Sequence, residues 1–269
     1  MKSQEVQQIA TNAVTELVAA LEAGRTETLL RYLAAMGRFH RYSLHNLLLI
    51  ALQNPTASYV AGFHTWKRFG RFVRKGDKAI YILAPLVRKQ ENRETPEADS
   101  DCAVFGFRAC AVFDYSQTEG KEMPTIGCIE GEPAEYQERL CSFVTSQGIS
   151  LAFSEAIAPA RGISEGGKIT LLPHLSPAET FATLAHECGH ELLHRQANLK
   201  EIPRRQRETE AEAVAYVVCQ AIGLQTGTAC QDYIQLHRGD AALLTESLER
   251  VRATASKILT AIIARQAAD

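Results

Sequence analysis

Apolar residues recur at helical spacing near the start of the chain. Ile9, Ala13, Leu17, Val18 and Leu21 fall on one face, and Gly24 follows as a stop. A second helical run covers about 27–36. A third begins after Ser43, a suitable N-cap, and ends at Asn54-Pro55, because the residue before a proline is pushed out of helical geometry. The period then changes. Ser58 to Ala61, Lys78 to Val87 and Cys102 to Phe113 are rich in Val, Ile, Phe and Tyr and predict strands. The polar stretch Lys89 to Asp101 predicts an exposed loop between the last two. Residues 116–134 are rich in Gly, Pro and Glu and predict a linker. Beyond it the pattern gives a helix over about 134–147, short strands around 149–153 and 168–172, a long helix opening at Ser176, and two more helices over about 206–223 and 240–266. The fold class expected is α+β: an α+β domain over 1–118, a linker over 119–134 and a mainly helical domain over 135–269.

Composition narrows the class. With 46% hydrophobic and 22% charged residues, a chain of 269 residues is globular and long enough for two domains. Cysteines stand at 102, 110, 128, 141, 188, 219 and 230, irregularly and with no CxxC pair, so neither a zinc ribbon nor a dithiol redox motif is expected. Buried reduced thiols and a cytoplasmic location are the simpler expectation. The longest aliphatic run, Leu47 to Leu52, is far too short to span a membrane, and the N-terminus lacks the apolar core of a signal peptide. The oligomeric state is left open.

The chemistry concentrates after Ser176. Ser176-Pro177-Ala178-Glu179 combines an N-cap serine, a proline at the first helical position and a glutamate at the third. The helix it opens carries His186-Glu187-Cys188-Gly189-His190. His186 and His190 stand one turn apart on one face and can chelate one metal ion, while Glu187, beside the first histidine, is placed to act as a general base. Flanking Leu184-Ala185 and Leu192-Leu193 argue that the motif is buried, and not a surface helix with two solvated histidines. A catalytic zinc site needs a third protein ligand. The run Glu208-Thr209-Glu210-Ala211-Glu212 before an apolar helix offers it: Glu208 and Glu212 share a face, so one can bind metal while the other orients a histidine. Glu210 points elsewhere and suits a solvated helix start. His194, one turn beyond His190, is either an alternative ligand or a supporting group in the second layer. Zn2+ is the expected ion, with Mn2+ or a similar divalent ion an alternative.

A second feature lies between Phe63 and Lys89. Lys67, Arg68, Arg71, Arg74, Lys75, Lys78, Arg88 and Lys89 face only Asp77, in a chain whose formal net charge is −2. Phe63, Trp66, Phe69, Phe72 and Tyr81 interleave with them. Cations neutralise phosphates and aromatic faces stack on unpaired bases, a mixture suited to single-stranded nucleic acid. The competing explanation is a half-exposed strand pair with aromatics, Trp66 above all, packed inward.

Two resemblances follow from these residues. HECGHELLH with a later ExxAE resembles the gluzincin-type peptidases of the ImmA/IrrE group, which implies Glu208 as the third ligand and Glu212 as the residue behind it. Tyr42-Ser43-Leu44-His45-Asn46, Val60-Ala61-Gly62-Phe63-His64-Thr65-Trp66, Val73-Arg74-Lys75-Gly76-Asp77-Lys78, Ile82-Leu83-Ala84-Pro85 and Val112-Phe113-Asp114-Tyr115-Ser116-Gln117-Thr118, in that order, resemble the N-terminal domain of ArdC antirestriction proteins. That family binds single-stranded DNA through this domain and carries a metallopeptidase-like domain after it. The resemblance implies DNA contacts among Tyr42, Asn46, Trp66, Lys67, Arg71, Arg74, Lys75 and Lys78. It implies a protein of a mobile element that protects DNA entering by conjugation, with a protein substrate for the zinc site. The alternative is an ImmA-like regulatory protease that cleaves a repressor or another DNA-associated protein.

Overall fold

A computed structural model describes residues 2–23, 25–89, 102–121, 133–195, 202–225 and 240–263. It is mixed helix and sheet and divides into two compact units. One comprises Met1–Val14 and His45–Met123, the other Thr15–Leu44 and Pro124–Asp269. Residues 90–101 of the expected loop, the stop at Gly24 and most of the expected linker lie outside the described residues.

The first unit takes the front of helix α1 (Ser3–Glu22), helix α3 (Leu44–Gln53), strands β1 (Val60–Gly62), β2 (Arg71–Val73), β3 (Ile80–Lys89), β4 (Cys102–Asp114) and β5 (Thr118–Gly120), and the short helix α4 (Phe63–Arg68). β3 and β4 form a long antiparallel pair, β1 adds to the far side of β4, and β2 pairs with β5. β3 is therefore an edge, and an open edge must be covered. Two amides on α3 cover it. Asn46 Nδ2 donates to the Leu83 carbonyl and Asn46 Oδ1 accepts from the Leu83 N–H, both at 2.8 Å. Gln53, two turns on, makes the same pair of bonds with Tyr81 at 2.9 Å. Tyr81 and Leu83 turn their backbones the same way because strand residues alternate with period two. Val6, Ala10, Leu49 and Leu83 form the apolar centre beneath.

The second unit holds α2 (Thr26–Arg38), α5 (Ala134–Ser146), β6 (Ser150–Phe153), β7 (Gly162–Ser164), β8 (Lys168–Leu171), α6 (Pro177–His194), α7 (Arg204–Ala221) and α8 (Ala241–Ile263). Its small sheet runs β6-β8-β7, with β6 parallel and β7 antiparallel to β8. α2, inside the range 1–118 expected for the front domain, packs on α7 and α8 and falls in the second unit. The reason is a close helix crossing. A Cβ added to Gly37 would sit 2.9 Å from the Val217 carbonyl oxygen. Local periodicity marks a helix's buried face but does not say which partner covers it.

Candidate metal centre

α6 begins as its sequence demands. Ser176 Oγ accepts from the Glu179 N–H at 3.3 Å, and the Glu179 carboxylate accepts from the Ser176 N–H at 3.1 Å, closing a capping box with Pro177 inside it. Phe181, Leu184, Ala185 and Cys188 bury one face. At Gly189 the helix meets α7 closely: a Cβ there would lie 3.3 Å from Ala211 Cα. This approach brings the first turns of α7 beside the histidines.

Nε2 of His186 and Nε2 of His190 lie 3.1 Å apart. Glu208 Oε2 lies 3.7 Å from the first and 3.4 Å from the second. Tetrahedral ligands at zinc bond lengths stand about 3.3 Å from one another, so this donor triangle has the dimensions of three ligands on one ion. Glu212 Oε2 lies 3.2 Å from His186 Nδ1, on the other side of the ring. Burial works against charge on His186, but the carboxylates of Glu208, Glu212 and Glu187 outweigh it and hold its pKa at about 9. Contact with His186 holds Glu208 down at about 2. Burial, with positive His186 beside it, lowers His190 to about 4.

Glu187 is buried, and burial raises its pKa. The edge strand β7 lies against it. The Ser164 hydroxyl reaches its carboxylate, and a Cβ on Gly162 would fall 2.8 Å from Glu187 Cγ and 2.6 Å from Thr183 Cγ2. No sequence pattern marks β7, because its three residues lack an apolar period. The neighbouring turn is pinned by Glu191, a buried carboxylate that accepts from the N–H groups of Gly166 and Gly167 at 2.8 and 2.7 Å.

One expectation around the centre needs correction. Glu210, expected in solvent, is fully buried, whereas Glu208 and Glu212 have side chains about half exposed. His194 is buried and stands outside the donor triangle, with Nε2 at 3.6 Å from Glu210 Oε2. Burial lowers its pKa.

The basic segment separates into framework and surface. Trp66 is completely buried, and its Nε1 donates to the Phe113 carbonyl at 2.9 Å. It cannot stack on a base. Arg71 is buried across the Tyr115 ring at 4.1 Å and spends its donors on Thr118 and the Lys121 carbonyl. Asn46 is the edge cover described above. Tyr42 is half-buried in the other unit, its ring edge-on to Phe39. Lys67, Arg74, Lys75 and Lys78 are exposed, with Arg74 at 3.2 Å from Asp77. The aromatics open to solvent are Phe63, Phe69 and Phe72, at 51%, 42% and 54% exposure. The strand alternation at Arg71-Phe72, with the cation inward and the ring outward, inverts the usual pattern and so escaped sequence reasoning.

Comparison with known proteins bears on both units. Residues 7–113 match the family model described as the N-terminal domain of anti-restriction factor ArdC. An uncharacterized Bacillus anthracis protein, pXO2-81, is 24% identical over 290 residues, covering 88% of this chain and 48% of the relative. The chain thus spans about half the length of the curated relative it matches. Among solved structures, the metal-free crystal structure of the antirestriction ArdC protein from R388 plasmid is similar with a TM-score of 0.56 at 18% identity, covering 94% of this chain and 97% of that one. The Mn(II)-bound structure of the same R388 protein gives 0.49 at 18% identity, with 86% and 97% covered. Residues 7–113 thus carry the N-terminal domain of the ArdC family, and the chain shares the fold of a solved ArdC structure.

Proposed function

We propose that this chain is an antirestriction-type protein that binds single-stranded DNA and carries a divalent-metal peptidase centre. The observation that carries the second half is the donor triangle of His186, His190 and Glu208, with sides of 3.1, 3.4 and 3.7 Å and a buried general base next to it. Two imidazoles and one carboxylate suit zinc, and Mn2+ binds such a set more weakly. An ion held there supplies Lewis acidity, polarising a carbonyl and letting water ionise near neutral pH. Glu187 takes the proton on its carboxylate and returns it to the departing amine nitrogen. Its raised pKa, caused by burial, brings it nearer the pH at which both transfers run. Glu212 holds the tautomer of His186 by accepting from Nδ1–H.

The first half rests on Phe63, Phe69 and Phe72, exposed in the same segment as Lys67, Arg68, Arg74, Lys75 and Lys78. Rings provide stacking surfaces and cations track the phosphates. Such a protein would accompany DNA arriving in a cell and act on proteins at that DNA. Two assays on purified protein test it together: a gel shift with a single-stranded oligonucleotide, and cleavage of an unstructured polypeptide with and without Zn2+. A protein that shifts no oligonucleotide, or cleaves nothing when loaded with Zn2+ or Mn2+, does not have the corresponding half of this function.

The ImmA-like reading shares the centre and differs in the target. It is favoured if a repressor is cut while Glu187→Gln leaves DNA protection intact.

A further inference from the structure

We propose that Arg250 and Ser247 of α8 are positioning residues for the metal centre, acting through the buried carboxylate of Glu210. The inference rests on reading His186, His190 and Glu208 as metal ligands.

Glu210 is two residues from Glu208 on the same turn of α7 and has no exposure. Its Oε1 accepts from Ser247 Oγ at 2.8 Å, from Arg250 Nη2 at 2.5 Å and from Gln206 Nε2 at 3.1 Å. Its Oε2 faces His194 Nε2, one turn beyond His190 on α6, at 3.6 Å. Both ligand-bearing helices therefore meet at one carboxylate, and α8 holds it.

Apolar packing alone does not fix the geometry of the site. The contact at Gly189 and Ala211 sets the distance between α6 and α7. It does not set the rotation of α7 about its own axis. Thr209, Glu210, Ala211, Ala213, Val214, Ala215, Val217, Val218 and Cys219 are all buried, so α7 has no single narrow apolar stripe to choose that rotation. Small alanines permit several settings. A directional lock is needed, and Glu210 is the buried group with directional bonds. Rotating α7 would carry Glu208 away from the histidines and pull Glu210 off Arg250 together.

The network is also a poor device for stability. Buried ion pairs are often replaceable by apolar groups without loss. Here Glu210 Oε2 and Arg250 Nε have no hydrogen-bond partner. Unpaired buried polar atoms cost stability, so the use assigned to this network is the arrangement it holds and not the stability it adds.

Arg250→Met keeps most of the side-chain volume and removes the charge. Zn2+ affinity, measured by competition with a chromophoric chelator, should fall by about 10- to 100-fold, the range found when residues behind metal ligands are removed. Arg250→Lys should recover part of it. A crystal structure of metal-free Arg250→Met should show Glu208 withdrawn from His186 and His190. Arg252→Met is the control: Arg252 is also on α8, paired with Glu249 and bonded to the Tyr42 carbonyl, and its loss should leave Zn2+ affinity unchanged. If Arg250→Met does not fold, Ser247→Ala, which removes one neutral donor, should lower affinity several-fold. Native Zn2+ affinity in the folded Arg250→Met or Ser247→Ala protein overturns the proposal, as does an unmoved Glu208. Native protein that binds no Zn2+ overturns the metal reading instead, and the metal-free structure of the variant still decides the positioning role.

Discussion

His186 turns its two ring nitrogens to two glutamates one turn apart on α7: Nδ1 lies 3.2 Å from Glu212, and Nε2 lies 3.7 Å from Glu208. A carboxylate on the far nitrogen fixes ring orientation and raises ligand basicity. Glu212→Ala should therefore lower Zn2+ affinity by about 10- to 100-fold, although Glu212 is not a ligand. Glu208→Ala, removing a ligand, should lower it further. Chelator competition on both variants gives the order, and equal losses would contradict the assigned roles.

The proton held by the metal-free centre has a measurable consequence. His186 sits at about 9, chiefly because nearby carboxylates outweigh its burial, and His190 at about 4 because it is buried beside that charge. At neutral pH His186 is protonated and His190 is not. A metal binds neutral imidazole, so Zn2+ uptake at pH 7 should expel about one proton. The raised pKa belongs to the free site. Apparent affinity should accordingly rise about tenfold per pH unit below about 9 and level off above it. Calorimetry in buffers of different ionisation enthalpy counts the proton, and affinity that does not change between pH 6 and 8 would refute the assignment.

Glu187→Gln keeps the shape of the general base and removes its proton affinity. Zn2+ binding should stay near native while polypeptide cleavage falls by about 10²- to 10⁴-fold. Gly162→Ala tests the same spot from β7. The added methyl would collide with Thr183 and Glu187, so cleavage should fall even though no charged group changes.

On the N-terminal unit, two aromatic substitutions should diverge. Phe72→Ala should weaken oligonucleotide binding by about 1–3 kcal/mol with little change in unfolding, because the ring is exposed. Trp66→Ala should cost about 3–5 kcal/mol of stability, because the ring is fully buried and its N–H is bonded. Lys75→Ala should reduce the salt dependence of binding by about 0.7 in log–log slope. Binding that survives Phe63, Phe69 and Phe72 all changed to Ala would exclude them as the stacking surface.

Local signals were the readable ones. The capping box at Ser176, the turn-spaced histidines and the acidic start of α7 are short-range patterns with one physical meaning, and all three could be located from the residues alone. The direction of Glu210 could not. Glu208, Glu210 and Glu212 look alike in sequence, and only α8, some forty residues away, distinguishes the buried one from its neighbours. The same holds for Asn46, Trp66 and Arg71. Each is a residue type that binds nucleic acid when exposed, and each is spent on the fold because a strand edge, a carbonyl or a ring stands opposite. Burial is decided by non-local partners, which composition does not carry.

The packing of α2 against α7 and α8 has a consequence for synthesis. Leu29, Leu33 and Met36 are buried in the finished protein, yet Gly37 leaves the ribosome about 180 residues before its partner Val217. At roughly 5–20 residues per second, α2 waits about 10 to 40 s with its apolar face uncovered. Up to residue 185 the nascent chain carries half of a helix interface and none of the metal ligands; His186, His190 and Glu208 follow before Val217, so the metal donors and the cover of α2 arrive together.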